Sequence, residues 1–368
     1  MKKVLIIIGK LYIGGAERVA RDIGYYADSE KYEIHYLVYG AEKGAYESEL
    51  EEQGCIIHHM ESPSKGYITY YKKLAELFKE NKFDVIHCHT MFSSGWAMLA
   101  GRAYKVPIRI AHSHTIRGPE KRGALKRVYE NVMRQVVVRN ATHLVACGKS
   151  AGVWLYGSKV FEEKGKLIYN GIDLKEFIYS KEARDYLRSK YQLQDRFIIG
   201  HVGHLATVKN QIFLINLMPQ IIKVNPKALL LLLGDGADRA MLMNRVEELK
   251  LERYVWMTGN VENVGEFMSA MDVFAFPSLY EGMPLALVEA QTNGLPCLIS
   301  DCIPADVHLT DLIKPMAIEE NSLEWIQSIC ESERTDSAVY GRVMYEMGFD
   351  TQEMVKRIYQ LYDGCKEI

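Results

Sequence analysis

The sequence has no apolar run long enough to cross a bilayer. Its longest, 228–233, is the length of one strand, against the about 18 residues that a membrane helix needs. Any membrane contact is therefore read as peripheral. The start, Met1-Lys2-Lys3, leads into only five apolar residues before Gly9-Lys10, too few for the core of a secretory signal. It reads as a buried strand. Seven cysteines (Cys55, Cys88, Cys147, Cys297, Cys302, Cys330 and Cys365) form no Cys-x-x-Cys pair and no dense framework, which excludes a disulfide scaffold and points to a reducing compartment, the cytoplasm. There is no Asp-x-Asp motif. A net charge of -2 leaves no overall basic field for nucleic acid, so any anionic partner must be met by a local patch.

What is present is the material of a folded protein. Hydrophobic residues make up 48% and charged residues 25% of 368, and that length exceeds one ordinary hydrophobic core. Short runs rich in Val and Ile alternate with longer amphipathic stretches, the pattern of parallel sheets covered by helices on both faces. Strands are expected at 3–8, 33–39, 55–60, 84–89, 108–114, 142–147 and 166–169. After a charged stretch ending near Asp195 the alternation restarts, with strands at 197–202, 228–233, 255–258, 273–276, 296–300 and 314–318. The restart predicts two domains, 1–175 and 176–349. From residue 321 onward the chain reads as helix, ending in 351–362, where Met354, Ile358 and Leu361 form one apolar stripe.

In open parallel sheets ligands bind beyond the carboxyl ends of the strands, so residues just after each strand carry the chemistry. Gly14 and Gly15 follow the first strand and precede a helix, where backbone can approach an anion. His87/His89 and His112/His114 are two His-x-His pairs at strand ends. Residues two apart share a face, so each pair presents two imidazoles suited to metal or acid/base work. A metal site would need further ligands to complete its shell, and the sequence does not identify them. After the first strand of the second half, Gly203-His204 leads to Lys209-Asn210 at an expected helix start. A lysine there opposes the helix dipole unless it meets an anion or water. Gly234-Asp235-Gly236 is a turn over the sheet. Glu281 and Glu289 flank a helix start at Pro284 and could bind hydroxyl groups while free amides take phosphate oxygens.

Together these segments resemble the retaining glycosyltransferases of family 4. The most specific element is Glu281-x7-Glu289, preceded by Pro277-Ser278 and followed by Gly294-Leu295-Pro296 and Ser300-Asp301. Gly14-Gly15-Ala16-Glu17-Arg18, Asn170-Gly171-Ile172-Asp173, Lys209-Asn210 and Gly234-Asp235-Gly236 support it, and the 300–304 segment looks most like enzymes of bacterial capsule and exopolysaccharide assembly. The resemblance implies an α/β GT-B fold: two Rossmann-like domains facing each other across a cleft, with a C-terminal helix (about 350–368) packing back on the N-terminal domain.

It also implies transfer of a hexose-type sugar from a nucleotide-diphosphate donor, UDP-sugar by default, to a glycan or polyprenyl-diphosphate-linked acceptor. Glu289 would bind ribose hydroxyls, Glu281 the transferred sugar and Lys209 the diphosphate. Gly14, Gly15, His204, Gly234, Val261 and the amides of Gly282, Met283 and Leu285 would complete the donor site. His114 would be the active-site histidine, with His112 as rival and His89 beside it on the acceptor side. Neither metal nor cofactor is expected. Many relatives carry an arginine where this chain has His204, a poorer diphosphate clamp. The stretch 117–139 carries Arg117, Lys121, Arg122, Lys126, Arg127, Arg134 and Arg139 among Leu125, Val128, Tyr129, Val132 and Met133, which suits an anionic membrane surface or a solvated face. A sugar-nucleotide epimerase, a His-x-His metal-dependent hydrolase and a non-catalytic sugar-nucleotide binder remain as other readings.

Overall fold

Among the described residues, thirteen short strands rich in Val, Ile and Leu fall into two all-parallel sheets. The computed structural model describes residues 1–12, 14–114, 123–319, 322–335 and 339–365. The chain divides into two compact units: Met1–Gly171 with Thr351–Ile368, and Ile172–Asp350.

The first unit holds β1 (Lys2–Ile7), β2 (Tyr32–Tyr39), β3 (Ile56–Met60), β4 (Val85–Cys88), β5 (Ile108–Ser113), β6 (His143–Ala146) and β7 (Gly165–Leu167), in spatial order β3-β2-β1-β4-β5-β6-β7. β1 pairs with β2 on one side and β4 on the other, Val4 lying opposite both Ile34 and Val85. The strand order reverses there, which opens a crevice at the carboxyl ends of β1 and β4 where ligands can enter. From Val4 onward β1 is apolar because helices cover both its faces: Val4, Ile6 and Ile8 belong to one core cluster, Leu5 and Ile7 to another.

The helix Thr351–Tyr362 completes the first of these clusters. Met354, Val355, Ile358, Leu361 and Tyr362 are buried there. Burying each such side chain stabilises by roughly 1.5–3 kcal/mol. Polar ties fix the register: Tyr359 Oη donates to the Ile23 carbonyl at 2.6 Å, and Lys2 Nζ to that of Tyr362 at 3.0 Å.

The second unit holds β8 (Phe197–Val202), β9 (Ala228–Leu233), β10 (Val255–Gly259), β11 (Val273–Phe276), β12 (Cys297–Ser300) and β13 (Ile313–Met316), in order β10-β9-β8-β11-β12-β13. Its reversal lies between β8 and β11. The charged stretch before β8 is not a loop. It carries the helices Leu174–Phe177 and Lys181–Lys190, whose Arg184 and Arg188 both grip Asp272, the residue that leads into β11. Asp272 also accepts the Ile198 amide at 2.7 Å, so a half-buried carboxylate and two guanidiniums lock the entry of β11 beside β8.

Candidate active site

In the second unit, both loops at the strand reversal bring charge to one place. β8 ends at Val202, and Gly203 leads into a single 3-10 turn, Thr207–Lys209, before Asn210 adopts a left-handed conformation (φ 55) and starts the helix Gln211–Val224. Lys209 thus stands ahead of the helix instead of in its first turn. The conflict with the dipole that the sequence suggested does not arise. Its ammonium meets Glu281 Oε1 at 2.6 Å and lies 5.0 Å from the centroid of the Phe276 ring. The Leu279 amide donates to the Val208 carbonyl at 2.8 Å, tying the two loops together. Both charged side chains are largely shielded, at 18% and 13% exposure, where charge–charge interactions are stronger than in water.

Behind this pair lies a residue that sequence reasoning missed. His201, fully buried in β8, donates from Nδ1 to the Ala275 carbonyl across the reversal at 2.9 Å. Its Nε2 therefore accepts, from Gln211 Nε2 at 3.2 Å, and the same amide donates to the His204 carbonyl at 3.0 Å. Burial lowers the His201 pKa to about 4. The neutral ring holds the loop that carries Lys209, yet within Ile-Ile-Gly-His-Val nothing distinguishes it from a strand residue. His204 itself is exposed.

Gly234 and Gly236 have a packing reason. Gly234 sits at φ 125, and a Cβ there would lie 2.2 Å from the Gly203 carbonyl oxygen. A Cβ on Gly236 would lie 2.3 Å from that of Leu205. The two loops interlock through Leu205 N to Asp235 O at 3.0 Å and Asp238 N to Leu205 O at 3.1 Å. Val261, half-buried, follows β10. Pro284 caps the helix Leu285–Thr292 from outside rather than occupying its first turn, and it supplies no side-chain cap hydrogen bond. Glu281 lies in the loop before it; Glu289, 7% exposed, lies on the helix itself. Gly282 and Leu285 are half-buried and Met283 is buried. The amides of a helix's first turn have no intrahelical acceptor and favour an anion.

In the first unit, Gly14 caps the helix Gly15–Tyr25 with extended backbone and no side-chain hydrogen bond, just past β1 at the reversal. The two His-x-His pairs, on neighbouring strands, form one cluster. His87 Nε2 meets His112 Nδ1 at 3.1 Å, and His89 Nδ1 meets His114 Nε2 at 2.7 Å. Tyr362 Oη closes one end on His87 Nδ1 at 2.7 Å; Asn170 Oδ1 closes the other on His114 Nδ1 at 3.1 Å. Burial keeps all four rings neutral. It lowers His87 to about 3 and His114 to about 4, and His89 and His112 well below the usual imidazole value. His112 is buried within the cluster and His114 is half-buried at its edge.

This arrangement corrects the expectation that no metal takes part. His87, His89 and His112, all buried, each bring one ring nitrogen within 4.8 Å of the others, a set that could hold a metal ion. Each pair supplies the further ligands that the sequence alone did not identify for the other, because β4 and β5 are sheet neighbours.

Residues 13–176 match the family described as Glycosyltransferase Family 4, and residues 183–323 match Glycosyl transferases group 1. Over 374 residues the chain is 32% identical to EpsF of Bacillus subtilis (strain 168), an alignment covering 100% of this chain and 97% of that protein. The chain belongs to the family 4 glycosyltransferases. This glycosyltransferase is also 25% identical over 369 residues to CapH of Staphylococcus aureus, a capsular polysaccharide biosynthesis glycosyltransferase, with 98% and 99% of the two chains covered. Among solved structures, HepE of Anabaena in complex with UDP superposes with a TM-score of 0.79 at 22% identity, covering 99% of this chain and 100% of that one. HepE with UDP-glucose gives 0.78. Those likenesses are of fold, and the fold is GT-B. The glycosyltransferase is thus an enzyme related to those of bacterial capsule and exopolysaccharide assembly. No helix among its described residues is long and apolar enough to cross a membrane.

Proposed function

We propose that this glycosyltransferase moves a hexose-type sugar, with retention at the anomeric carbon, from a UDP-sugar to a hydroxyl of a glycan or polyprenyl-diphosphate-linked precursor. The unit Ile172–Asp350 would take the donor and the unit Met1–Gly171 the acceptor. The observation that carries this is the 2.6 Å Lys209–Glu281 pair at the β8/β11 reversal, with Glu281 in the loop before the helix Leu285–Thr292, whose cap residue Pro284 makes no side-chain hydrogen bond. On donor binding Lys209 would turn to the diphosphate, exchanging one anionic partner for another, and Glu281 would exchange the ammonium for hydroxyl donors of the sugar. Glu289 would hold the ribose, the amides of Gly282, Met283 and Leu285 the phosphates, and Val261 the base. Gly14, Gly15 and His204 would line the phosphate side. The UDP and UDP-glucose bound by HepE support a uridine donor. His114 would face the acceptor with His89 and His112, and a donor phosphate oxygen would take the acceptor proton, which requires no side-chain nucleophile. Lys209 and the helix amides would stabilise the departing diphosphate.

The test is a thermal-shift screen against a panel of nucleotide sugars, followed by transfer assays on Lys209→Met. A UDP-hexose should raise the melting temperature of the wild type, because it binds only the native state. Lys209→Met should melt normally and lose about 10²–10³-fold in turnover. A panel without any stabilising nucleotide, or near-normal transfer by the variant, would refute the assignment.

We further propose a cytoplasmic enzyme that rests on anionic lipid through the helix Ala124–Asn140. Leu125, Val128 and Val132 point outward at 88%, 60% and 55% exposure, and Lys126, Arg127 and Arg139 are exposed on the same helix. Arg134 is engaged internally, donating to the Leu155 and Trp154 carbonyls. Arg117, Lys121 and Arg122 lie outside the described residues. An exposed apolar row with cations beside it suits a peripheral membrane contact. The protein should sediment with anionic liposomes at low salt, and the combined Leu125→Glu, Val128→Glu and Val132→Glu change should abolish this. Absence of low-salt binding by the wild type would sink the idea.

A further inference from the structure

Two nitrogens in the histidine cluster have no hydrogen-bond partner among the described residues: Nε2 of His89 and Nε2 of His112. They belong to side chains only 7% and 1% exposed. A buried polar atom left unmatched costs about 1–3 kcal/mol. Two of them among four neutral imidazoles point to a ligand that the cluster is built to take.

The hydrogen bonds fix what these nitrogens offer. Asn170 Oδ1 can only accept, so His114 donates from Nδ1 and its Nε2 accepts. That acceptor receives the Nδ1 proton of His89, leaving His89 Nε2 as a bare lone pair. On the other arm, Tyr362 Oη can donate or accept toward His87 Nδ1, and the metal-ready arrangement is the one in which it accepts. His87 Nε2 then accepts from His112 Nδ1, and His112 Nε2 becomes a second bare lone pair. In that arrangement each imidazole donates its Nδ1 proton, and the Nε2 atoms of His89 and His112 are left as free lone pairs. Metal-ligating histidines are held in this way, with the outer partner setting the tautomer and raising the basicity of the ligating nitrogen.

We propose that the cluster is a binding site for a divalent transition-metal ion of the zinc type, ligated by His89 Nε2 and His112 Nε2 with water completing the shell. His87, His114, Asn170 and Tyr362 are positioning residues behind those two ligands. Uncharged imidazole nitrogens select zinc, cobalt, nickel or copper over magnesium and calcium, which prefer oxygen. His87 could become a third ligand by giving up one of its two hydrogen bonds. One ring nitrogen from each of His87, His89 and His112 lies within 4.8 Å of the others, whereas ligands at 2.0–2.1 Å on a tetrahedral ion sit about 3.3 Å apart. Loading therefore draws the rings together by side-chain rotation. The rival occupant of the two lone pairs is a sugar hydroxyl, which would donate to them without any metal.

The test uses the full chain, stripped with a chelator, dialysed, and titrated calorimetrically with Zn²⁺ and spectroscopically with Co²⁺. The wild type should bind one equivalent and melt at a higher temperature when loaded, while Mg²⁺ does neither. His89→Ala and His112→Ala should each weaken binding at least about 10-fold. Tyr362→Phe keeps the ring and removes only the outer hydrogen bond, so it should weaken binding without unfolding the protein. His59→Ala, outside the cluster, should bind as the wild type does. Absence of stoichiometric Zn²⁺ binding by the wild type, or binding undiminished in both ligand variants, would overturn the proposal and leave the lone pairs to a hydroxyl.

Discussion

At the scale of single residues, Gly234 shows how a turn can be constrained twice over. Its backbone lies at φ 125, and the Gly203 carbonyl occupies the place a side chain would need. Gly234→Ala should therefore destabilise by about 2–4 kcal/mol, from backbone strain and overpacking together. Urea unfolding would measure this, and a loss under about 0.5 kcal/mol would show that the loops can part. The sequence marked this glycine correctly as special, but only as a place where backbone nears a ligand. The loop that fills the space, at Gly203, comes from the end of β8, and no local pattern shows it. The same applies to His201, whose partners Ala275 and Gln211 become neighbours only after β8 and β11 pair. Glu281 and Lys209 were recognisable because charged residues just past apolar runs stand out; that they touch was not.

At the scale of elements, the strands were legible almost to the residue, since a strand buried on both faces must be apolar from end to end. The expected 197–202, 228–233 and 273–276 coincide with the observed β8, β9 and β11. Short 3-10 turns such as Thr207–Lys209 were not foreseen, because three residues carry no periodicity. The last helix was legible through its apolar stripe alone. Ile358 is fully buried against the first sheet's cluster, so Ile358→Ala should cost about 2–5 kcal/mol. Calorimetry should show the loss as a lower melting transition of the unit Met1–Gly171, with the unit Ile172–Asp350 unaffected. An equal shift of both would contradict that localisation.

At the scale of the whole molecule, buried histidines make acid the natural antagonist of this fold. The four histidines of the cluster lie in the first unit, and in each the folded pKa lies below the unfolded value of about 6.5. The unfolded chain therefore binds protons that the folded chain refuses. Stability is complete above about pH 6.5 and falls as pH drops through the window between the two values, by up to about 1.4 kcal/mol per pH unit for each histidine. The second unit has one such group described, His201. Metal-free protein taken from pH 7 to pH 5 should lose hydrogen-exchange protection first in the unit Met1–Gly171. Uniform loss, or none, would count against the buried neutral cluster. Sequence alone marked the two His-x-His pairs but not their burial or their meeting, which depend on β4 and β5 being neighbours in the sheet.

The helix Thr351–Tyr362 belongs to the first unit although it is made after the second. During synthesis, then, Ile172–Asp350 can fold as soon as it emerges, while Met1–Gly171 waits with an open seam along β1 and β2 where Ile358 and Leu361 will dock. Tyr362, on that same helix, also supplies the hydroxyl behind His87. The histidine cluster thus acquires its outermost hydrogen bond only after the unit Ile172–Asp350 has been made, so its assembly registers that both sheets have been synthesised.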